Sequence, residues 1–192
     1  MLAAGTARRM GYPKQLLPWD GTTLLGHAVA EAQAVAGASV FVVTGAHRDL
    51  VEPHVDTLGV AAIFNPHFED GLGTSIAAAA AYLLDAGDRY LEVVIMLADQ
   101  PSVTSGHLTL LIEHSRTARS AAATAYPRGN GVPAAFPWAM LDALQNLGGD
   151  AGARQLLNGE AFSVVRVHPQ VPLFDIDTPE NYRAHEGDQK RH

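Results

Sequence analysis

The sequence predicts an α/β fold: a three-layer, mostly parallel sheet with helices on both faces. Runs such as Ser39-Val40-Phe41-Val42-Val43-Thr44 and residues 91–97 are continuously apolar rather than alternating, as expected of strands buried on both faces. These runs alternate with helix-length segments, the order that builds parallel strands joined by helical crossovers. In such a sheet, ligands sit beyond the carboxyl ends of the strands. The stretches after Ala4, Phe64 and Leu97 all occupy that position, so three loops converge on one edge.

Composition fits one globular domain over residues 1–184 with a polar tail at 185–192. The chain has 192 residues, 47% of them hydrophobic and 17% charged, which argues against disorder. Its formal net charge of -7 excludes a general binder of nucleic acid or anionic membrane. Without cysteine there is no disulfide framework and no thiolate metal site. The longest apolar run, 76–84, is far short of the ~20 residues that span a bilayer. Arg8 and Arg9 arrive too early for a signal-peptide core, so the cytoplasm is the expected compartment.

The elements follow in order. Met1 to Ala4 reads as the end of a buried strand, either clipped or continued upstream. Trp19-Asp20-Gly21 is a turn, and Thr22 or Thr23 is suited to cap a helix over 24–36, stopped by Gly37. A strand at 39–44 leads to a short helix ending near Pro53-His54, and 60–64 is the next strand. Thr74 or Ser75 is suited to cap an alanine-rich helix at 76–86. Residues 91–97 form a third buried strand, Thr104 opens a helix through Arg116, and 121–126 is a strand. A turn at Gly129-Asn130-Gly131 precedes a short strand at 132–136. Helices at 137–147 and 153–157 follow, then strands at 163–167 and 173–176. Pro179 starts the last helix.

The chemistry concentrates in Leu2-Ala3-Ala4-Gly5-Thr6-Ala7-Arg8-Arg9-Met10-Gly11-Tyr12-Pro13-Lys14. Glycine lets backbone approach a ligand, and free amides in such a loop cradle anions. Arg9 adds a planar fork of donors and Lys14 a mobile point charge. The loop suits a polyphosphate, although a solvated basic turn fits the residues equally well. It is neither a Walker A loop nor a Gly-x-Gly-x-x-Gly fingerprint. Gly71-Leu72-Gly73-Thr74-Ser75-Ile76 is a defective version of that fingerprint, with Ile76 in place of the third glycine. Asp99 directly follows an apolar strand, where a carboxylate is costly unless paired or metal-bound. It fits Mg²⁺, which takes one or two carboxylates plus water and phosphate oxygens, or alternatively a cap or turn before Pro101. On a strand, Asp175 and Asp177 point the same way, which suggests a cation; Asp177 is equally explained as a helix cap.

Leu2 to Pro18 resembles the signature loop of the MobA-like nucleotidyltransferases, L-A-A-G-x-S-x-R-M-G-x-P-K-x-L-L. The Ala3-Ala4-Gly5 form looks like the branch that uses CTP, where the guanine-using branch carries Ala-Gly-Gly. Ala98-Asp99-Gln100-Pro101 and Asp175-Ile176-Asp177-Thr178-Pro179-Glu180 resemble that family's metal-binding segments. Asn65-Pro66 with Gly71 to Ser75 resembles its base- and ribose-holding turn, and Gly131-Val132-Pro133 and Gly149 to Arg154 its acceptor segments. Ala7 replaces a usual serine, Val132 a usual histidine, and Asn181 a second acid.

The resemblance implies a Rossmann-like sheet of the nucleotide-diphospho-sugar transferase type. It also implies transfer of CMP from CTP to the terminal phosphate of molybdopterin. Arg9 and Lys14 would be catalytic; Leu2, Ala3, Ala4, Gly5, Lys14, Asn65, Gly71 and Ser75 would bind nucleotide. Asp99 and Asp177 would hold Mg²⁺, with Asp175 structural. Gly131, Pro133, Asp150 and Arg154 would bind the acceptor, and a molybdenum hydroxylase would be the partner. Two alternatives stay open: a sugar or polyol phosphate acceptor, or a non-catalytic nucleotide or cofactor carrier.

Overall fold

In a computed structural model, residues 1–7, 10–87, 90–149 and 152–189 are described, with side chains to residue 185. A ribbon of β1 (Pro18–Trp19) and β2 (Thr22–Thr23) precedes α1 (Leu24–Gln33). Then come β3 (Phe41–Thr44), α2 (Arg48–Thr57), β4 (Ala61–Phe64), α3 (Leu72–Asp85), β5 (Glu92–Ile95) and α4 (Ser105–Ala118). The hairpin β6 (Ala121–Tyr126) and β7 (Gly129–Pro137) leads to α5 (Leu141–Gln145), α6 (Gly152–Asn158), β8 (Val164–Val167) and α7 (Pro179–Gln189).

The sheet has two parts, parallel β4-β3 and the four-stranded β5-β7-β6-β8, in which β7 runs against its neighbours. Leu2 joins them. It forms parallel bridges to Val43 on one side and Leu97 on the other. Leu2 N donates to Met96 O (2.8 Å), Ala3 N to Val43 O (2.9 Å) and Ala98 N to Leu2 O (3.1 Å). The first residues therefore lie in the middle of the sheet, which puts the loop after Ala4 beside Asp99.

Alternation along each strand divides the core between two faces. Leu2, Val43, Ile63, Ile95, Ala121, Ala123 and Phe136 pack with α3, α5 and α6. Ala3 and Val42 pack with α1 and α2, and Met96, Ala122 and Ala135 with α4. Helices thus cover both faces, as expected. Among the described residues no helix is long and apolar enough to cross a membrane.

Several boundaries differ from the expectations. The second helix passes Pro53 and continues to Thr57, because Val51 and Val55, one turn apart, are both buried. The alanine-rich helix starts at Leu72: Gly71, at φ 109°, makes the turn, and Thr74 Oγ1 bonds back to Gly71 O (2.8 Å). Thr74 and Ser75 therefore lie inside the first turn rather than before it. The hairpin turn falls at Pro127-Arg128, since Gly129, Asn130 and Gly131 pair with Tyr126, Ala125 and Thr124. The expected helix at 137–147 divides into a 3₁₀ turn (Trp138–Met140) and α5. Residues 173–176 form no strand. That segment is tied to the sheet by Ile176 N donating to Asp99 O (2.9 Å) and packs Ile176 against Trp19 and Leu24. The last helix runs past His185, whose ring stacks on Phe174 at 3.8 Å between centroids.

Phe136 is fully buried in the larger core cluster, against the face covered by α3, α5 and α6. Phe136→Ala is expected to lower unfolding free energy by about 3–5 kcal/mol. A urea midpoint within error of the wild type would contradict this placement.

Candidate active site

Lys14 sits in a 3₁₀ turn, Lys14–Leu16, that closes the basic loop. The turn is pinned from beneath by buried Gln15, whose Nε2 donates to Ala3 O (2.7 Å). On the other side His47 Nε2 lies 3.0 Å from Thr6 O. Ala7 takes a left-handed φ of 47°, and its carbonyl accepts from Met10 N and Gly11 N. This backbone is unusual for a residue other than glycine, asparagine or aspartate. Leu2, Ala3 and Ala4 are buried sheet residues, whereas Gly5 is exposed with open space where a side chain would stand. Of the expected nucleotide-loop residues, Gly5 thus has the accessible backbone. Arg9 lies outside the described residues.

Lys14 Nζ forms ion pairs with Asp99 Oδ2 and with Asp177 Oδ1, the latter at 2.8 Å. Three segments separated by up to 163 positions therefore converge on one ammonium. The Lys14 and Asp99 side chains are mostly buried, at 15% exposure each, while Asp177 is 47% exposed. Burial pushes the Asp99 carboxyl up, Lys14 pulls it back, and Asp175 and Asp177 push it up again. Burial opposes the charge on Lys14, but the two carboxylates outweigh it and hold its ammonium above the usual range.

Asp99 Oδ1 is buried and has no hydrogen-bond partner. An orphan carboxylate oxygen at this depth is costly, and a cation would satisfy it. Among the described residues no group of three or more Asp, Glu or His is arranged to hold a metal. The orphan oxygen of Asp99 with the carboxylate of Asp177 nearby fits Mg²⁺ or Mn²⁺, which take one or two carboxylates and complete their shell with water and substrate phosphate.

The other predicted residues have more internal roles. Asn65, 1% exposed, donates through Nδ2 to Thr74 Oγ1 (2.9 Å) and Ser75 Oγ (3.0 Å) and accepts from His67 N (2.9 Å). Asn65 and Ser75 thus fix the turn between β4 and α3. Gly73 is tight for a packing reason: an added Cβ would fall 2.7 Å from Gly148 O. The second glycine of the defective fingerprint is therefore taken up by contact with the 148–149 backbone.

A cavity of about 530 Å³ lies beside the aspartates. Leu72, Leu97, Val132 and Ala153 give it apolar walls, and Gln100, Tyr126, Arg128, Arg154 and Asp175 its polar groups. Gly131 and Arg154, both expected on the acceptor side, line it. Pro133 is buried behind the wall, where its carbonyl accepts from Thr124 Oγ1 (2.8 Å). Asp150 lies outside the described residues. The sequence reading did not single out Gln100, Tyr126 or Arg128 for function. Gln100 Nε2 donates to Asp175 Oδ1 (2.8 Å). Burial pushes the Tyr126 phenol up to about 12, so it stays protonated and donates to Val132 O (2.7 Å). Adjacency to Asp99 was the only sequence signal for Gln100; nothing marked Arg128.

Comparisons with known proteins fit this geometry. The model of the MobA-like NTP transferase domain matches residues 1–167. The chain is 26% identical over 187 residues to the molybdenum cofactor cytidylyltransferase of Escherichia coli K12, covering 94% of this chain and 90% of that one. It is 31% identical over 192 residues to the nicotine blue oxidoreductase of Paenarthrobacter nicotinovorans, covering 94% and 91%. Among solved structures, Rv0371c of Mycobacterium tuberculosis in complex with manganese superposes with a TM-score of 0.76 at 28% identity, covering 95% of this chain and 94% of that one. The helix-flanked sheet is the nucleotide-diphospho-sugar transferase arrangement. With the family model spanning the basic loop, Asp99 and the hairpin, the chain belongs to the MobA-like NTP transferase family.

Proposed function

We propose that this nucleotidyltransferase transfers CMP from CTP to the terminal phosphate of a molybdopterin-type acceptor, using Mg²⁺. The observation that carries the reading is the meeting of Lys14 with Asp99 and Asp177 at the end of the first strand. The choice of cytidine and of acceptor is supported by the Ala3-Ala4-Gly5 form of the loop and by the E. coli cytidylyltransferase relative.

In this reading an oxygen of the acceptor phosphate attacks the α-phosphorus of CTP. The bond from that phosphorus to the β-phosphate oxygen breaks, and its electron pair leaves with pyrophosphate. The acceptor phosphate is already ionised, so neither a protein nucleophile nor a general base is needed. The chain supplies position and charge. Lys14, with Arg9 and the amides after Ala4, neutralises the departing pyrophosphate. Asn65, Gly71 and Ser75 shape the turn that receives base and ribose. Gly131, Pro133, Asp150 and Arg154 form the acceptor side. When bound through Asp99 and Asp177, Mg²⁺ would offset charge on the triphosphate and acceptor oxygens. The product would pass to a molybdenum hydroxylase.

The oxidoreductase name of one relative makes hydride transfer a competing reading. It has less support here, because Gly73, the second glycine of the defective fingerprint, donates to Gly149 O (2.9 Å) and has no room for a Cβ beside Gly148 O.

The deciding experiment measures pyrophosphate release with Mg²⁺, each of the four nucleoside triphosphates, and molybdenum cofactor or sugar phosphates as acceptors. Release that needs both CTP and molybdenum cofactor is expected. Thermal stabilisation by CTP without release under any condition would favour a carrier. Lys14→Ala and Asp99→Ala are each expected to slow turnover at least ~100-fold, the scale of losing one transition-state electrostatic contact. Lys14 occupies the space between the carboxylates that a cation needs. Lys14→Gln is therefore expected to bind Mn²⁺ without nucleotide at least ~10-fold more tightly, about 1.4 kcal/mol. An electron paramagnetic resonance titration reads this independently of activity, and unchanged affinity would refute the competition.

A further inference from the structure

The turn after β3 does more than lead into α2. Its residues Gly45, Ala46 and His47 stand against the first residues of the basic loop. Ala46 N donates to Ala4 O (3.2 Å), and His47 Nε2 lies 3.0 Å from Thr6 O. A backbone carbonyl only accepts, so this ring nitrogen carries the hydrogen. The two segments touch closely: a Cβ on Gly45 would fall 2.7 Å from Ala4 O.

These bonds decide where the loop amides point. A trans peptide sets its N–H opposite its C=O. With Ala4 O and Thr6 O both engaged by the turn, the N–H groups of Gly5 and Ala7 are directed away from it. Leu2 has Val43 of β3 on one side and Leu97, two residues before Asp99, on the other. Away from the turn is therefore toward Asp99. Among the described residues neither Gly5 N nor Ala7 N has a hydrogen-bond partner.

The backbone of Ala7 is a second observation. Its left-handed φ of 47° depends on the peptides that flank it. His47 fixes the peptide before it. The carbonyl after it is fixed by accepting from Met10 N (2.9 Å) and Gly11 N (3.2 Å). Backbone amides turned inward by a left-handed residue make an anion-binding concavity.

We propose that His47 is a positioning residue for the polyphosphate. By holding Thr6 O it keeps the Ala7 amide, alongside that of Gly5, aimed at a phosphate oxygen bound next to Asp99. The imidazole itself touches no substrate atom. Without it the peptide between Thr6 and Ala7 is free to turn over, which would aim a carbonyl at the anion. The inference rests on the nucleotidyl-transfer reading, which puts the departing pyrophosphate at this loop.

The test is calorimetry on the full chain with inorganic pyrophosphate and Mn²⁺, beside an electron paramagnetic resonance titration with Mn²⁺ alone. His47→Ala is expected to weaken pyrophosphate binding at least ~10-fold, the scale of one hydrogen bond to a charged group. Its affinity for Mn²⁺ alone should stay at the wild-type value, because Asp99 and Asp177 are not moved. His47→Gln, whose amide can donate to the same carbonyl, should recover most of the loss. His47→Phe, which fills the space without a donor, should recover none. The proposal is overturned if His47→Ala binds pyrophosphate as tightly as the wild type, or if it loses pyrophosphate and Mn²⁺ in equal measure. It is also overturned if the Gln and Phe variants bind alike, or if the wild type binds no pyrophosphate. Turnover separates this inference from the reading beneath it. Wild-type pyrophosphate release that His47→Ala matches in kcat/KM would remove the positioning role alone. His47-dependent pyrophosphate binding without release from any nucleoside triphosphate would keep the positioning role and remove the transfer.

Discussion

The contact of one ammonium with two carboxylates, Lys14 with Asp99 and Asp177, is the constraint around which the active-site edge is built. Its value is not chiefly stability. Bringing a lysine and a carboxylate out of water costs several kcal/mol per ion, and their attraction repays this only in good geometry. The orphan Oδ1 of Asp99 shows that the geometry leaves some of that cost unrepaid. That unsatisfied carboxylate oxygen, directly after a strand of the sheet, is the observation that supports the proposed cation there.

The rest of the fold serves that meeting. Leu2 stitches the two parts of the sheet together, so the loop carrying Lys14 leaves the middle of the sheet next to Asp99. The C-terminal segment reaches the same place over the outside of the molecule. It is held by Ile176 against Trp19 and Leu24, and by the Tyr182 hydroxyl donating to Pro18 O (2.7 Å). The β1–β2 ribbon, which contains none of the candidate site residues, therefore helps position Asp177. The cavity has its own support in Gln100, Tyr126 and the mutual bonds of Asn130 and Asn158, which register the hairpin on α6.

Family membership alone does not choose a reaction. Relatives of similar coverage are named as a cytidylyltransferase and as an oxidoreductase. Folds host many chemistries, and the site decides among them. Here the features that support the proposed transfer are a lysine between two carboxylates, an accessible glycine in the basic loop, and a cavity lined in part by arginines.

Much of this was legible in the chain itself. Continuous apolar runs identified the buried strands, and their alternation with helices gave a layered sheet, because both signals are local and repeated. Asp99 stood out because a carboxylate directly after an apolar strand is costly without a partner; Lys14 stood out as a cation in the glycine-containing loop, and Asp177 by its alternation with Asp175 and its resemblance to a family segment. Local pattern misplaced the hairpin turn by two residues, since cross-strand pairing of Gly129 to Gly131 outweighs their turn propensity. It also made a strand of 173–176, an extended segment that packs its side chains without joining the sheet. Asn65 and Ser75 read as ligand contacts, yet they bond to each other; a side chain's partner ten positions away is invisible to spacing rules. The sequence by itself determined which elements form and which residues are chemically conspicuous. Tertiary structure alone decided which of them meet, because contacts between residues 14, 99 and 177, or between 130 and 158, depend on how the sheet and hairpin close.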